Sequence, residues 1–430
     1  MKTRLIHGGH VVDPAQDIDR RADVVLRGDQ IVGVVEPGSF GDADEMIDAT
    51  GLVVMPGLID TQVRVGEPGH ERAESILSAS RAAVAGGYAT ILATSDTDPP
   101  IDTEAAAEYV FLQAQRASYA NVLPIGCITK RREGQELAEI GQLAHAGAVA
   151  FGDASRPVAN ASLFHKALRY ASMFDRPVIQ SPFEPTLTNG VMHAGYHSIA
   201  LGMPGIPASG EAVMVARDTL LAKGTGAHVH LATISTLDAV EGVRRAKRDG
   251  IDVTCSVTPH HLTLMDEVVG RYDAAAHKVL PPLRSAEHVQ ALREGLRDGT
   301  IDLVTSDHSP HTIEDKQCEF DRAPFGVIGL ETTLAVLHTH LVVPGTITMR
   351  RLVELLATTP AELARLHTKR SLSRGSDADL TLFDPHATWT VDSSRFQSRS
   401  RNTPFEGWTL QGRARYTIVM GRVHDLAAWW

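Results

Sequence analysis

The chain has 430 residues, 43% of them hydrophobic and 22% charged, which supports a large buried core and excludes a disordered chain or a small disulfide scaffold. Lys+Arg 41 against Asp+Glu 52 gives a net charge of −11, the wrong sign for recognition through a phosphate backbone, so no nucleic-acid partner is expected.

The amino terminus carries Lys2 and Arg4 but no apolar h-region, so it does not read as a secretory signal. No stretch of about 18 apolar residues occurs, and no membrane span is expected. The three cysteines, Cys127, Cys255 and Cys318, are widely spaced and form no C-x-x-C motif. Packed, reduced thiols in a cytoplasmic protein are the expectation.

The first fifty residues read as short strands, Arg4–His7, Val11–Val12, Asp23–Leu26, Ile31–Val35 and Glu45–Asp48, divided by Gly, Pro and Asp turn signals. From Leu52 to about His367 the texture changes to apolar runs of four or more residues alternating with longer helical stretches. The runs are Val53–Val63, Ala89–Thr94, Val122–Ile128, Ala148–Asp153, Pro177–Ser181, His228–Thr233, Asp252–Thr258 and Ile301–Ser306. Between and after them, apolar residues fall at helical spacing in Glu74–Ala85, Glu104–Ala117, Leu163–Phe174, Glu211–Ala222, Leu237–Lys247, His288–Leu296 and Met349–Leu366. Eight strand–helix units with continuously apolar strands predict a (β/α)8 TIM-like barrel in the α/β class. An open doubly wound sheet is the alternative, but no strand here runs into G-x-G-x-x-G.

Strand texture returns after Arg374, in Asp379–Phe383, Thr388–Val391 and Arg413–Met420, before an apolar tail Leu426–Trp430. Because chain ends tend to lie together, residues 1–52 and 372–430 are expected to form one small β-sandwich beside a barrel spanning 53–371.

In such a barrel, chemistry sits at the carboxyl ends of the strands. Those ends are polar here: Asp60-Thr61-Gln62-Val63-Arg64, Asp153, Gln180-Ser181, His228-Val229-His230, Thr258-Pro259-His260-His261 and Asp307-His308. Alternation along a strand puts Gln62 and Arg64 on the face of Asp60, and His228 on that of His230. Singly, each reads as a hydrogen-bonded polar residue; together they point to a site. Lys130-Arg131-Arg132, beside Glu133, reads as a solvated face, and His165, His193, His197 and His338 have no ligand-like spacing.

At Val54-Met55-Pro56-Gly57-Leu58-Ile59-Asp60 the sequence resembles the amidohydrolase superfamily. Later segments narrow the resemblance to dihydroorotase, among them Thr258-Pro259-His260-His261-Leu262, Pro281-Pro282-Leu283-Arg284, Asp307-His308-Ser309-Pro310-His311-Thr312 and Asn402-Thr403-Pro404-Phe405-Glu406-Gly407-Trp408. The resemblance implies a metal-supported barrel in which one or two zinc ions activate water against a cyclic amide, with a strand-8 aspartate handling the proton. It also implies a strand-1 H-x-H pair and a strand-5 histidine, where this chain has Gln62, Arg64 and Ser181. Asp153, His230 and Asp307 are left as vestigial ligand positions. Arg64, always protonated and without a lone pair, would repel a cation and is expected to pair with Asp153, Asp307 or both.

The family's substrate-carboxylate contacts correspond to Gly66, Asp96, Leu280 and His311, a degenerate pocket expected to repel an anion. The resemblance is therefore to the non-catalytic dihydroorotase homologues: no cofactor is expected, and Asp307 is a vestigial catalytic residue. By the same resemblance the partner is aspartate carbamoyltransferase, in an oligomer, with the tail Trp429 and Trp430 as a candidate contact or as core. The alternatives are an active cyclic-amide hydrolase with a mononuclear zinc or metal-free site, and a small-molecule sensor.

Overall fold

The computed structural model describes residues 2–270 and 274–429. Its centre is an eight-stranded parallel sheet: β1 Leu58–Val63, β2 Tyr88–Ala93, β3 Asn121–Gly126, β4 Ala150–Gly152, β5 Val178–Gln180, β6 Val229–Leu231, β7 Val253–Val257 and β8 Leu303–Val304. The strands lie side by side in chain order. The sheet curls until its last edge meets its first, where Val63 bridges His308 and the Arg64 N–H donates to the His308 carbonyl at 2.9 Å. The (β/α)8 barrel expected from the sequence is therefore present, with helices outside it.

Asp60 fastens this seam from within. Fully buried, its Oδ1 accepts from the Thr305 hydroxyl at 2.6 Å and its Oδ2 from the Ser306 N–H at 2.8 Å. Those donors lie just past the end of β8, so one carboxylate on β1 replaces ladder bonds that the short last strand does not make.

The helices follow from their caps and buried stripes. In Glu104–Ala117 the Thr103 side chain accepts from the Ala106 N–H, and Ala107, Val110 and Ala117 face the sheet. Such a cap contributes about 1 kcal/mol. The last helix differs from a uniform Met349–Leu366: a π turn at Glu354–Thr358 separates Met349–Val353 from Thr359–Leu363. Cys127 and Cys255 are buried free thiols and Cys318 is half-buried.

Both chain ends build the second unit. A four-stranded sheet combines Gln30–Val35, Asp23–Arg27, Thr3–His7 and Glu45–Asp48; a six-stranded sheet joins Arg422–Asp425, Thr409–Val419, Leu380–Thr390, Val53–Pro56, His10–Asp13 and Ile18–Arg21. Between them Ile6, Val24, Leu26, Leu380 and Ile418 form one buried cluster. The apolar run Val53–Val63 is thus divided, its first part in this unit and its second in the barrel. The break is Gly57, where a Cβ would sit 2.5 Å from that of Ala89.

Between β5 and β6 lies an insertion that no sequence pattern announces. There Met192–His193 pairs with Gly205–Ile206, and the helix Tyr196–Leu201 lies between them. Two-residue strands are too short to carry an apolar alternation. Buried Arg284 clamps the insertion to the barrel, donating to the Ile206 carbonyl at 2.9 Å and to the Ser235 hydroxyl at 3.0 Å, and facing the Glu211 carboxylate at 3.7 Å. Trp429 packs on the barrel, 5.9 Å from the Tyr119 ring, while Trp430 lies outside the described residues.

Candidate functional site

A cavity of about 150 Å³ opens at the carboxyl ends of the barrel strands, with a void of about 20 Å³ beneath it. Gln62, Arg64, Asp96, Ser181, Thr233, Leu280 and Asp307 line it, with Phe183 and Phe325 as aromatic walls. Three wall residues just past strand ends have left-handed backbone, Ala154 at φ 49, Thr233 at φ 61 and Asp307 at φ 51. Side-chain-bearing residues occupy that region at a cost of order 1 kcal/mol each, which the surrounding fold must offset.

Asp307 stands at the centre. Its Oδ1 accepts from Gln62 Nε2 at 2.6 Å, and Gln62 Oε1 accepts in turn from the Thr233 hydroxyl at 3.3 Å. Burial, and then the charge of nearby Asp60, push the Asp307 carboxyl up to about 8 against the pull of the Gln62 hydrogen bond. Asp307 is therefore a mostly neutral acid at pH 7, inside a hydrogen-bonded chain.

Arg64 does not pair with Asp153 or Asp307. Its Nε lies 3.1 Å from Asp96 Oδ2, and the other Asp96 oxygen accepts from the Thr94 hydroxyl at 2.6 Å. Burial raises the Asp96 carboxyl, but the charges of Arg64 and Arg132 outweigh it and the net shift is downward. The physical reason for the changed pairing is position: Asp96 follows β2, the immediate neighbour of β1 in the sheet, whereas Asp153 is engaged elsewhere.

Asp153 accepts from the Ile128 N–H at 2.8 Å, the Thr129 N–H at 3.2 Å and the Thr129 hydroxyl at 2.5 Å, so its carboxylate ties β4 to the loop after β3. It is not among the cavity-lining residues. Arg132 turns inward instead of forming a solvated face, donating from Nε and Nη2 to the Asp153 carbonyl at 3.1 and 3.0 Å.

His230 is likewise not brought to the cavity. It sits in mid-strand on β6, bonded to the Thr254 and Ser256 hydroxyls of β7 at 2.9 and 3.2 Å, and burial pushes its imidazole down to about 3. The residue that reaches the mouth from this strand is Thr233, which sequence reading missed. Strand β6 stops at Leu231, and the left-handed turn at Thr233 carries the wall position past the alternating pattern.

Of the degenerate pocket, Asp96 and Leu280 line the cavity, whereas Gly66 and His311 do not. Gly66 has φ +71, and a Cβ there would lie 2.4 Å from the Glu74 carbonyl oxygen, so no side chain fits. His311 lies behind the wall, its Nε2 donating to the Phe325 carbonyl at 2.8 Å, and burial followed by the Lys316 charge takes its imidazole down to about 4.

The residues present do not fit a catalytic zinc ion. Such an ion needs about three firm protein donors with free lone pairs. Arg64 has none, and Ser181 and Thr233, whose hydroxyls donate to the Ala154 carbonyl at 2.7 Å and to Gln62 Oε1 at 3.3 Å, bring neutral hydroxyls in place of the imidazole, thiolate or carboxylate that zinc takes. Among the described residues no group of three or more His, Cys, Asp or Glu is placed to hold a metal.

A family model described as Dihydro-orotase-like matches residues 51–239. A dihydroorotase of Pelotomaculum thermopropionicum is 46% identical over 420 residues, 97% of this chain and 97% of the relative. One from Syntrophus aciditrophicus is 43% identical over 421 residues, 97% of this chain and 98% of the relative. Among solved structures, L-hydantoinase (dihydropyrimidinase) from Arthrobacter aurescens superposes with a TM-score of 0.87 at 27% identity, covering 98% of this chain and 96% of that one.

Proposed function

We propose that this chain, which belongs to the dihydroorotase family, is a member whose barrel mouth is silent toward dihydroorotate and which serves pyrimidine biosynthesis as a structural or regulatory subunit. One observation carries this reading: the Asp307 carboxyl is capped by the Gln62 amide at 2.6 Å in a cavity that no described imidazole other than His308 lines. Even His308 is committed, its two ring nitrogens facing Glu74 at 3.3 Å and the Gly329 N–H at 3.4 Å. Ring opening of a cyclic amide needs an activated water and a base that is free to take its proton. Gln62, Arg64, Ser181 and Thr233 offer neither a metal nor a base to activate water, and at pH 7 the Asp307 carboxyl, pushed up to about 8, is for the most part already protonated.

The partner we assign, aspartate carbamoyltransferase, follows from family resemblance alone. Co-expression and size-exclusion chromatography test it, and separate elution would remove it.

The names of the relatives, dihydroorotase at 41–46% identity, favour a second reading, an active cyclic-amide hydrolase, here with an altered mononuclear or metal-free site. Here the neutral Asp307 would act as an acid. The two readings separate in one assay of dihydroorotate hydrolysis and its reverse, with and without added zinc, beside an Asp307→Ala control. Silence in all arms supports the first reading. Turnover that Asp307→Ala abolishes establishes the second.

A further inference from the structure

We infer that Arg64 has turned the barrel mouth into a receptor for a small monocarboxylate with a flat apolar body, a ligand class defined by the cavity's own chemistry. The inference rests on the reading that no cation occupies the mouth. Arg64 is a cavity wall residue with its side chain 29% exposed. Its nearest ion-pair contact runs from Nε to Asp96 Oδ2 at 3.1 Å, and among the described residues no protein acceptor takes a hydrogen bond from either terminal nitrogen. A guanidinium held by its Nε presents its two outer nitrogens as a fork, the geometry that binds a carboxylate bidentately.

The charge around this fork permits an anion. Asp96 pairs with Arg64 at 3.1 Å, feels the charge of Arg132 besides, and has its other oxygen engaged by the Thr94 hydroxyl at 2.6 Å. Paired in this way, the Asp96 carboxylate opposes an incoming anion less than an unpaired one would. The other acid lining the cavity, Asp307, is occupied by Gln62.

The remaining walls set the body of the ligand. Phe183, Leu280, Pro281 and Phe325 offer apolar and aromatic surface around a cavity of about 150 Å³, room for a single six-membered ring and its carboxylate. Leu280 contributes no hydrogen-bonding side chain, so a ring rich in amide groups gains nothing from that wall, whereas a flat hydrocarbon ring does.

Benzoate and its neutral isostere benzamide test this by isothermal titration calorimetry. Wild-type protein is expected to bind benzoate about tenfold or more tightly than benzamide, the worth of one charge-assisted pair. Arg64→Gln should erase that preference. Arg64→Gln combined with Asp96→Asn guards against the unpaired acid unfolding the mouth and should erase it too. Asp96→Asn alone should tighten benzoate binding, since it frees Arg64 from its internal anion.

Equal affinity for the two probes, no binding of either at millimolar concentration, or an unchanged preference in the double variant overturns the inference. Dihydroorotate turnover is measured on the same preparations. A wild type that binds benzoate and also turns over dihydroorotate sinks the silent-site reading and the premise drawn from it. A protein that turns over nothing and ignores benzoate sinks the receptor alone.

Discussion

Gln62 and Asp307, 245 residues apart in the chain, share a hydrogen bond of 2.6 Å across the seam that closes the barrel. The amide supplies an N–H to a carboxyl that burial would otherwise leave without a donor, and in doing so holds it in place. The pair therefore fixes where the site's central acid sits, while burial sets its protonation and the Gln62 hydrogen bond tempers it.

Titration of Asp307, followed by carboxyl-carbon NMR, should show a midpoint near 8, neutral below and charged above. The hydrogen bond from Gln62 lowers this value, so Gln62→Leu should move the midpoint further upward. A midpoint near the ordinary 3.8 in the wild type would contradict the buried arrangement.

Asp60 should prove a residue of stability. It accepts from the Thr305 hydroxyl, the Ser306 N–H and the Gln62 N–H, the last at 3.0 Å, and its removal leaves these donors without an acceptor at the seam. Asp60→Ala is expected to cost about 3 kcal/mol in urea unfolding, with Asp60→Asn costing less because one oxygen still accepts. A loss below about 0.5 kcal/mol would show that the seam is held elsewhere.

Much of this architecture is legible in the sequence, and the failures have specific causes. The helix Glu104–Ala117 is bounded by its Thr103 cap and by Ser118 in the left-handed region, both local signals. The division of Val53–Val63 is not local, because Gly57 marks a close approach to Ala89 that only the folded barrel creates. The same holds at the mouth. Spacing places Gln62 and Arg64 on one face, but which acid each meets depends on which strands are neighbours and on where Asp153 is already bonded. His230 is the strand-6 histidine that the resemblance implies as a ligand, whereas the wall position belongs to Thr233, beyond the end of β6, where no local signal marks it.

A pH-dependent stability should arise from Glu331. Its carboxylate oxygens accept from the Gln397 and Ser398 N–H groups at 2.9 to 3.0 Å, tying the loop after the long β strand to the barrel. Burial, with the Glu74 charge adding to it, pushes this carboxyl up to about 8 from an ordinary 4.5. The folded state thus holds a proton that the unfolded chain releases between those values. Its contribution is complete below about 4.5 and lost as pH rises through about 8. Glu331→Gln, neutral throughout, should flatten that part of the melting temperature against pH profile; an unchanged slope would assign it to other groups.

Histidines at four mouth positions should show whether side chains alone keep zinc from this cavity. Gln62, Arg64, Ser181 and Thr233 all line one cavity, and Asp307 joins them from β8. Replacing all four with histidine removes the guanidinium charge, frees Asp307 from the Gln62 amide and supplies imidazole donors on β1 and after β5 and β6. Ala154, Thr233 and Asp307 keep the left-handed backbone that sets the mouth's outline, so the scaffold needs no other change. The fourfold variant is expected to retain about one zinc ion per chain after dialysis, measured by elemental analysis, while the wild type retains none. Restoring only Gln62→His should not suffice, since Arg64 would still repel the ion. A fourfold variant that folds with wild-type circular dichroism yet binds no zinc would show that the backbone at the mouth, and not its side chains alone, has moved away from metal-binding geometry.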